Sequence, residues 1–428
     1  MKVAVFVTPH GFGHAGRAAA VMEALGAAPV NGRSSGPVPS FELLTTVPEV
    51  FFRDSLPSVS WRHHPLACDV GLRQASALEI DLEGTRRALD DFLDRLPALV
   101  ETAAGIIRET GCDLTLSDIS PLGILAAERA GVPSVLVENF TWDWIYEGLA
   151  REAPDLEKHG AWLARVYARA DLRLQPEPVC RPVSGAHVVP PVARSPRSPG
   201  RAVRRELGIS GPEPVVLVTM GGTGQDLPAL RRLKEVEATV LLTGMDEGGR
   251  DGNLVRFRRG DVVYLPDLIA ASDLVVSKLG YSTVAEVWLQ DRPLLYVGND
   301  RFREVPVLRD FVHEELEARE ISMGALEAGD WVDAVAAWVR EGEGAGAASG
   351  DGPSSASVAP APAAGSRRAG ESQPGRIGGA GAGAGHIRAL ADDAVSRSVT
   401  PGPDGEVPPV SPVPTPGAGT DTSPGGAT

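Results

Sequence analysis

The chain has 428 residues and a formal net charge of −15. This acidity argues against a nucleic-acid-binding protein, because a phosphate backbone needs a basic face. Three scattered cysteines cannot build a disulfide framework or a zinc site, and no apolar run reaches membrane-spanning length. We therefore expect a cytoplasmic protein without a metal, a nucleic-acid partner or a transmembrane segment. Contact with a membrane surface is left open.

The first half of the chain predicts strands that alternate with helices. Strands are expected at residues 1–8, 41–46, 59–62, 113–117, 134–138 and 172–174, and helices at 15–25, 81–110, 122–130 and 155–170. Such alternation is typical of a mostly parallel sheet that is covered on both faces. Residues 188–201, VVPPVARSPRSPGR, are dense in proline and lack periodicity, so they are predicted to form an interdomain linker.

The pattern restarts after the linker. Strands are expected at residues 215–219, 239–243, 262–265, 274–276 and 293–297, and helices at 268–272, 305–319 and 331–340. From residue 341 the chain is rich in Gly, Ala, Pro and Ser and cannot bury enough apolar surface to offset its chain entropy. We therefore predict two Rossmann-like α/β domains, 1–187 and 202–340, that face each other across a cleft, and a disordered tail over 341–428.

Three glycine-rich turns are predicted to face this cleft, and the first is TPHGFGHAGR at residues 8–17. Gly11, Gly13 and Gly16 have the GxGxxG spacing of dinucleotide-binding proteins. A dinucleotide-binding domain also needs an acid at the end of its second strand, whereas Glu42 stands at the start of that strand. An NAD-dependent enzyme is therefore kept only as an alternative.

Two histidines in this turn are more informative than its glycines. The glycines between His10 and His14 argue against a helix that presents both rings to a metal. His14 stands where the turn meets the helix, at the mouth of the cleft, and histidine is the side chain best suited to take a proton near neutral pH. His14 is therefore a candidate general base. The alternative is a histidine that only caps the helix.

The second turn is MGGTGQ at residues 220–225, directly after a strand. Gly221 and Gly222 let the backbone approach an anion closely. The alternative is a tight turn that needs glycine only for a positive φ angle.

The third turn lies within DLVVSKLGYSTVAEV at residues 273–287, which predicts a strand, a turn and a helix. A helix that begins just past a strand directs free N–H groups and a partial positive charge at whatever lies above it, which suits a phosphate. Lys278 adds a positive charge, and Glu286 could accept hydrogen bonds from a ribose diol. The alternative is an ordinary strand–helix unit in which Glu286 only stabilises the start of the helix.

A cluster of aromatic residues follows a strand of the first domain. In NFTWDWIY, residues 139–146, two Trp, a Tyr and a Phe surround Asp143. Aromatic rings beside a carboxylate suit a sugar or another amphipathic acceptor, and the alternative is a hydrophobic lid over the core. Asp118 follows the strand DLTLS and is expected at the same edge of the sheet.

These motifs resemble segments of the GT-B glycosyltransferases. VVSKLGYSTVAEV and RPLLYV are similar to the C-terminal half of the bacterial UDP-GlcNAc transferases of peptidoglycan lipid synthesis. Over nearly all of residues 1–335, HGFGHAGR, LTLSDISP, NFTWDWIY, SKLGYSTVAE and NDRFREVPVLRD resemble the glycosyltransferase-like N-terminal half of plant L-arabinokinases. The sugar-kinase half of those proteins has no counterpart here.

The resemblance implies a GT-B fold and a set of donor contacts. It assigns the nucleotide diphosphate to Gly280 and Thr283, the ribose to Glu286, and the base to a backbone group at Leu265. The turn that begins at residue 220 takes the place of a second phosphate-binding turn. One departure is that Glu304 stands near the position of a pair of glutamines that grips the donor sugar, so the identity of that sugar does not carry over.

We therefore predict a metal-independent, inverting glycosyltransferase that needs no cofactor and uses a nucleotide-diphosphate sugar, expected to be UDP-linked, with an unknown acceptor. His14 and Asp118 are the predicted catalytic residues. The predicted donor-binding residues are Gly221, Gly222, Thr223, Leu265, Lys278, Gly280, Tyr281, Ser282, Thr283, Glu286 and Glu304. The predicted acceptor-binding residues are His10, Gly11, Gly13, Asn139, Trp142 and Asp143. A non-catalytic module that binds a nucleotide sugar is the main alternative, ahead of an NAD-dependent enzyme.

Overall fold

A computed structural model describes residues 1–27, 38–76, 79–220, 229–259, 261, 263–347, 376 and 378–398. The first domain contains β1 (Lys2–Val7), α1 (Phe12–Gly26), β2 (Ser40–Leu44), α2 (Glu49–Ser55), β3 (Ser60–His64), β4 (Gln74–Ser76), β5 (Glu79–Ile80), α3 (Leu82–Thr110), β6 (Leu114–Asp118), α4 (Pro121–Ala130), β7 (Ser134–Val137), α5 (Trp142–Leu149), α6 (Leu156–Tyr167), β8 (Leu172–Pro176) and β9 (His187–Val189). The second contains α7 (Gly200–Glu206), β10 (Val215–Thr219), α8 (Leu230–Leu233), β11 (Thr239–Met245), β12 (Gly249–Asp251), β13 (Leu254–Arg258), α9 (Leu265–Ala271), β14 (Leu274–Lys278), α10 (Tyr281–Leu289), β15 (Leu294–Val297), α11 (Val305–Glu315), β16 (Ala318–Ile321), α12 (Met323–Ala328) and α13 (Trp331–Ala347), and α14 (Ala380–Ser398) follows.

Each domain is built on a seven-stranded sheet. The first has the order β3-β2-β1-β6-β7-β8-β9, and the second has the order β12-β13-β11-β10-β14-β15-β16. Every neighbouring pair in the first sheet is parallel, and among the described strands of the second sheet only the edge strand β12 runs antiparallel. The prediction of two Rossmann-like α/β domains is confirmed.

The strand register brings the chemically important turns to one edge of each sheet. In the first domain Val7, at the end of β1, pairs with Asp118 at the end of β6. In the second domain Thr219 of β10 pairs with Ser277 of β14. Carboxyl ends of parallel strands are where ligands bind in open α/β sheets, so the turns that follow these strands are placed to form a site.

Alternating side chains of β1 point into two separate layers of the first domain's core. Val3, Val5 and Val7 pack with α1, whereas Ala4 and Phe6 join the core under α3 and α4. A strand buried on both faces reads as a continuous apolar run, which is why KVAVFV could be assigned from the sequence.

Some elements differ from the sequence prediction. The strand expected at 262–265 is replaced by β13, and Leu265 begins helix α9 instead. No secondary structure was predicted for the aromatic cluster after β7, and its residues 142–146 form the first part of helix α5. Among the described helices, none combines the length and apolarity needed to cross a bilayer.

Part of the predicted disordered tail is helical. Helix α14 packs against α1, β8 and β9 of the first domain, and Ala384, Ile387 and Ala391 are buried there. These side chains recur every three or four residues on one face, and no proline interrupts residues 380–398. Composition averaged over the whole tail conceals this short amphipathic stretch. Most of the remaining tail lies outside the described residues.

Candidate functional site

A cavity of about 550 Å³ lies between the two sheets and is lined by both domains. Its first-domain wall includes His10, His14 and Trp142, and its second-domain wall includes Lys278 and Glu304. Residues 280–283 also line it, so the start of α10 is open to the cavity and faces the opposing domain. A volume of this size is typical of small-molecule sites.

His14 is held by a buried carboxylate. Its Nδ1 lies 2.7 Å from Asp118 Oδ1, across the register that aligns β1 with β6. Arg17, one turn later on α1, donates to both oxygens of Asp118, from Nε at 2.7 Å and from Nη2 at 2.8 Å. Its Nη1 donates to Asn139 Oδ1 at 2.6 Å. The four side chains form a network in which Asp118 joins the candidate base to a fixed positive charge.

The protonation states of this network follow from burial and charge. Burial raises the pKa of Asp118, but the charge and hydrogen bonds of Arg17 and His14 outweigh it, so the pKa lies below its usual value. Burial and the nearby charge of Arg17 together lower the pKa of His14 by more than Asp118 raises it. An ionised carboxylate only accepts hydrogen bonds, so Nδ1 of a neutral His14 carries the hydrogen, and Nε2 keeps the lone pair that can take a proton.

Trp142 and His10 form the wall beside this network. The Trp142 indole donates from Nε1 to Asp69 Oδ2 at 2.6 Å, and the His10 ring contacts Trp142 edge-on with a centroid distance of 5.1 Å. Burial is the main reason that the pKa of His10 falls to about 3, so the His10 ring is too weak a base to take a proton near neutral pH. Gly71, with a φ of +65°, packs closely on both rings. A Cβ at this position would lie 2.8 Å from Trp142, so only glycine fits there.

The glycines of the first turn serve interdomain contact. A Cβ on Gly13 would stand 3.4 Å from Ser282, and one on Gly16 would stand 3.2 Å from the Ser282 hydroxyl. Gly13 and Gly16 therefore let α1 approach α10 of the other domain, whereas an added Cβ on Gly11 would meet nothing within 4 Å. Glu42 lies within β2, where it bonds to His64 Nε2 at 2.7 Å, and no acid stands at the end of that strand. This arrangement does not provide the ribose contact of a dinucleotide fold.

The second-domain wall of the cavity combines amide groups with two half-buried ionisable side chains, Lys278 and Glu304. Helix α10 begins at Tyr281, and its N-cap residue, Gly280, has no side chain that could bond the first N–H groups. Burial lowers the pKa of Lys278 and raises the pKa of Glu304 to about 7. Glu304 Oε2 is buried without a hydrogen-bond partner among the described residues. Free N–H groups and an unsatisfied carboxylate oxygen are both suited to a polar ligand.

Several predicted site residues are placed differently from expectation. Asp143 points to Arg181, with which it forms an ion pair, and does not line the cavity. Glu286 is 1% exposed and accepts a hydrogen bond from Arg194 Nε at 2.8 Å. Asn139 lines the cavity, but its oxygen is taken by Arg17. Leu265 also lines the cavity. The predicted contacts at Gly221, Gly222 and Thr223 lie outside the described residues.

Sequence reasoning missed two arginines. Arg17 could have been suggested by its position three residues after His14, which places both on one face of a helix. Arg194 is in the linker, where nothing in the proline-rich sequence distinguishes it from its neighbours. Among the described residues, no group of three or more His, Cys, Asp or Glu side chains is arranged to hold a metal.

Known proteins resemble this chain in sequence and in fold. No model of a protein family matches it. It is 30% identical over 338 residues to L-arabinokinase of Arabidopsis thaliana, an alignment that covers 75% of this chain but only 31% of that protein. An uncharacterized glycosyltransferase of Methanopyrus kandleri is 26% identical over 264 residues, which cover 55% of this chain and 74% of that protein.

Two solved structures show the fold. UGT89C1 of Arabidopsis thaliana, complexed with quercetin, superimposes with a TM-score of 0.53 at 14% identity, over 79% of this chain and 90% of that one. The glycosyltransferase VinC, in complex with dTDP, superimposes with a TM-score of 0.50 at 15% identity, over 79% and 91%. Two Rossmann-like domains around a shared cleft, together with these two structures, show that the chain has a GT-B fold.

Proposed function

We propose that the protein is a metal-independent glycosyltransferase that moves a sugar from a nucleotide-diphosphate sugar, UDP-linked in our expectation, to an acceptor hydroxyl with inversion. The observation that carries the proposal is the His14–Asp118 pair. His14 lines the same cavity as the start of α10, and Asp118 is hydrogen-bonded to the His14 ring. One side of the cleft therefore offers a base and the other an anion site.

The donor diphosphate is placed at the start of α10. The N–H groups of residues 280–283 and the ammonium group of Lys278 would stabilise the charge that develops as the diphosphate leaves. Preorganised donors of this kind contribute roughly 3 kcal/mol each to transition-state stabilisation. The Glu304 carboxylate would accept hydrogen bonds from the sugar, and a backbone group near Leu265 would contact the base. The turn at Gly221, Gly222 and Thr223 is proposed as a second phosphate contact from its sequence.

His14 is the proposed base. Its Nε2 takes the proton of the acceptor hydroxyl while the acceptor oxygen bonds to the anomeric carbon and the bond from that carbon to the diphosphate oxygen breaks. The imidazolium that forms is stabilised by Asp118, which remains ionised because Arg17 is bonded to it. General-base catalysis of this type contributes about 10²–10⁴ in rate.

The acceptor side of the cavity is largely apolar. Phe12 and Phe51 stack with a centroid distance of 5.1 Å at its rim, and Phe12 is 42% exposed. Leu72 and Ile145 line it further in. The Arg17 charge is already neutralised by Asp118, so Arg17 offers no free cation to an anionic acceptor. We propose an uncharged acceptor with a flat apolar body. Of the two acceptors that the aromatic cluster around Asp143 suggested, a sugar or another amphipathic molecule, this choice favours the second.

A thermal-shift screen against UDP-, GDP-, dTDP- and ADP-sugars tests the donor site. A ligand at a hundredfold excess over its Kd stabilises the protein by about 2.7 kcal/mol, so binding should be plain. Transfer to a panel of phenols then tests catalysis, and His14→Ala should bind the donor normally while it loses turnover by about 10²–10⁴. Full turnover by His14→Ala would refute the assignment of the base.

A nucleotide-sugar-binding module without catalysis is the second candidate. It is favoured by the partial match to L-arabinokinase, in which the aligned region is 31% of the protein. Binding of a nucleotide sugar that is never consumed, across a broad acceptor panel, would select this function instead.

A further inference from the structure

Glu286, the carboxylate that the sequence resemblance assigns to the donor ribose, is already bonded to an arginine. Glu286 Oε1 accepts the hydrogen bond from Arg194 Nε at 2.8 Å, while Oε2 is buried and has no hydrogen-bond partner among the described residues. Arg194 lines the cavity, and Glu286 lies behind it at 1% exposure. A ribose in the cavity therefore meets Arg194 before it can reach Glu286.

Arg194 also ties the two domains together. Its Nη1 donates to Ser55 Oγ of the first domain at 3.1 Å. Its guanidinium stands 5.2 Å from the ring centroid of Phe51 in the first domain and 5.3 Å from that of Tyr264 in the second. One linker side chain thus contacts α2 on one side of the cleft and α10 on the other.

A guanidinium and a ribose diol compete for the same acceptor. Both are hydrogen-bond donors that suit a carboxylate, and a buried carboxylate needs at least one of them because an unpaired buried charge is costly. The diol has two hydroxyl groups, so it can satisfy both oxygens of Glu286, including the one that Arg194 leaves unpaired.

Resting on the proposed function, we propose that Arg194 is a latch on the ribose site: it holds Glu286 and Ser55 in the ligand-free protein and is displaced from Glu286 when a ribonucleotide binds. Only the fraction of molecules with Glu286 released is competent to bind ribose, so the latch weakens the apparent affinity by that fraction. Displacement also loosens the Arg194 contact with α2, which links donor binding to the contact between the domains.

The test compares two arginines of the same linker. Arg194→Met keeps the length of the side chain and its packing between the rings but frees Glu286. Arg197→Met is the matched control, because Arg197 also contacts both domains, through Asp54 and through its stacking on Tyr264 at 3.7 Å, but does not contact Glu286. Binding of UDP and of 2′-deoxy-UDP is measured by calorimetry at one fixed pH for every variant, and the GDP and ADP pairs serve as alternatives.

Arg194→Met should bind UDP about tenfold more tightly than wild type, and 2′-deoxy-UDP should gain less. Arg197→Met should leave the ratio of UDP affinity to 2′-deoxy-UDP affinity at its wild-type value. If Arg194→Met does not fold, Ser55→Ala, which removes only one bond of the latch, should still shift the ratio in the same direction by about twofold.

Three results would overturn the latch. Equal losses of UDP and 2′-deoxy-UDP binding in Arg194→Met would make Arg194 a ligand of the nucleotide. An unchanged ratio in the arginine variant, or in Ser55→Ala if that variant must be used, would show that Arg194 does not compete with ribose. If the wild-type protein binds none of UDP, GDP and ADP, the proposed function fails together with the latch. If the wild-type protein binds one of them and a variant gives equal losses or an unchanged ratio, only the latch is refuted.

Discussion

Replacing Asp118 by Asn separates the electrostatic role of this carboxylate from its shape. The amide is nearly isosteric but uncharged, so Arg17 loses two charge-assisted hydrogen bonds and keeps a buried charge without its partner. Breaking a buried ion pair in this way costs about 3–5 kcal/mol of the free energy of unfolding. For a domain of this size the melting temperature should fall by on the order of 10 °C. The imidazolium of His14 also loses its stabilising carboxylate, so turnover should fall by about 10²–10⁴.

The dependence of stability on pH gives a second measurement of the same carboxylate. The folded pKa of Asp118 is lowered, so its contribution to stability is present above its unfolded pKa of about 3.9 and is lost as the pH falls through the folded value. In denaturant unfolding, the free energy of unfolding of the wild type should therefore fall below about pH 4 by an amount that Asp118→Asn does not show.

Asp143→Asn is the control for these measurements. Asp143 is also a buried aspartate of the first domain, but it pairs with the more exposed Arg181 and lies away from the cavity. Its substitution should cost less stability and leave turnover near the wild-type value. Wild-type turnover in Asp118→Asn, or an equal loss in Asp143→Asn, would refute the reasoning.

Three further predictions concern the donor sugar, the core and the tail. Burial raises the pKa of Glu304 to about 7. The ratio of the affinity for a nucleotide sugar to the affinity for its nucleotide diphosphate should therefore increase as the pH is raised through about 7, and Glu304→Gln should make this ratio independent of pH. A wild-type ratio that is independent of pH would remove Glu304 from the donor site. Gly123→Ala should lower the free energy of unfolding by about 1–3 kcal/mol or more, because its Cβ would lie 2.1 Å from a serine hydroxyl. Gly105→Ala is the control: its added Cβ meets nothing within 4 Å, so it should stabilise the protein by up to about 1 kcal/mol. Equal effects of the two variants in denaturant unfolding would contradict the packing described. Ile387→Ala should cost about 2–5 kcal/mol in the same assay, and no change would mean that α14 is not docked in solution.

The sequence predicted the turns of the site better than it predicted their partners. Strand, turn and helix signals placed His14 and residues 280–283 at one cleft, because carboxyl ends of parallel strands lie at a common edge. The partner of Glu286 could not be predicted, since Arg194 lies 92 residues away and reaches it only when both domains are in place. Asp143 was misjudged for a different reason, because a residue that follows a strand can face the cleft or turn away with the next helix, here α5.

The tail shows how a composition average can hide an element with a structural role. Arg388 of α14 donates from Nη2 to the carbonyl oxygens of Ala24, Leu25 and Ala27, where α1 ends. Carbonyl groups at a helix C-terminus lack partners within the helix, and a nearby cation also opposes the negative end of its dipole. The other end of α1 carries His14 in its first turn. Helix α14 therefore supports the helix that holds the proposed base, although it stands in a segment whose overall composition predicts disorder.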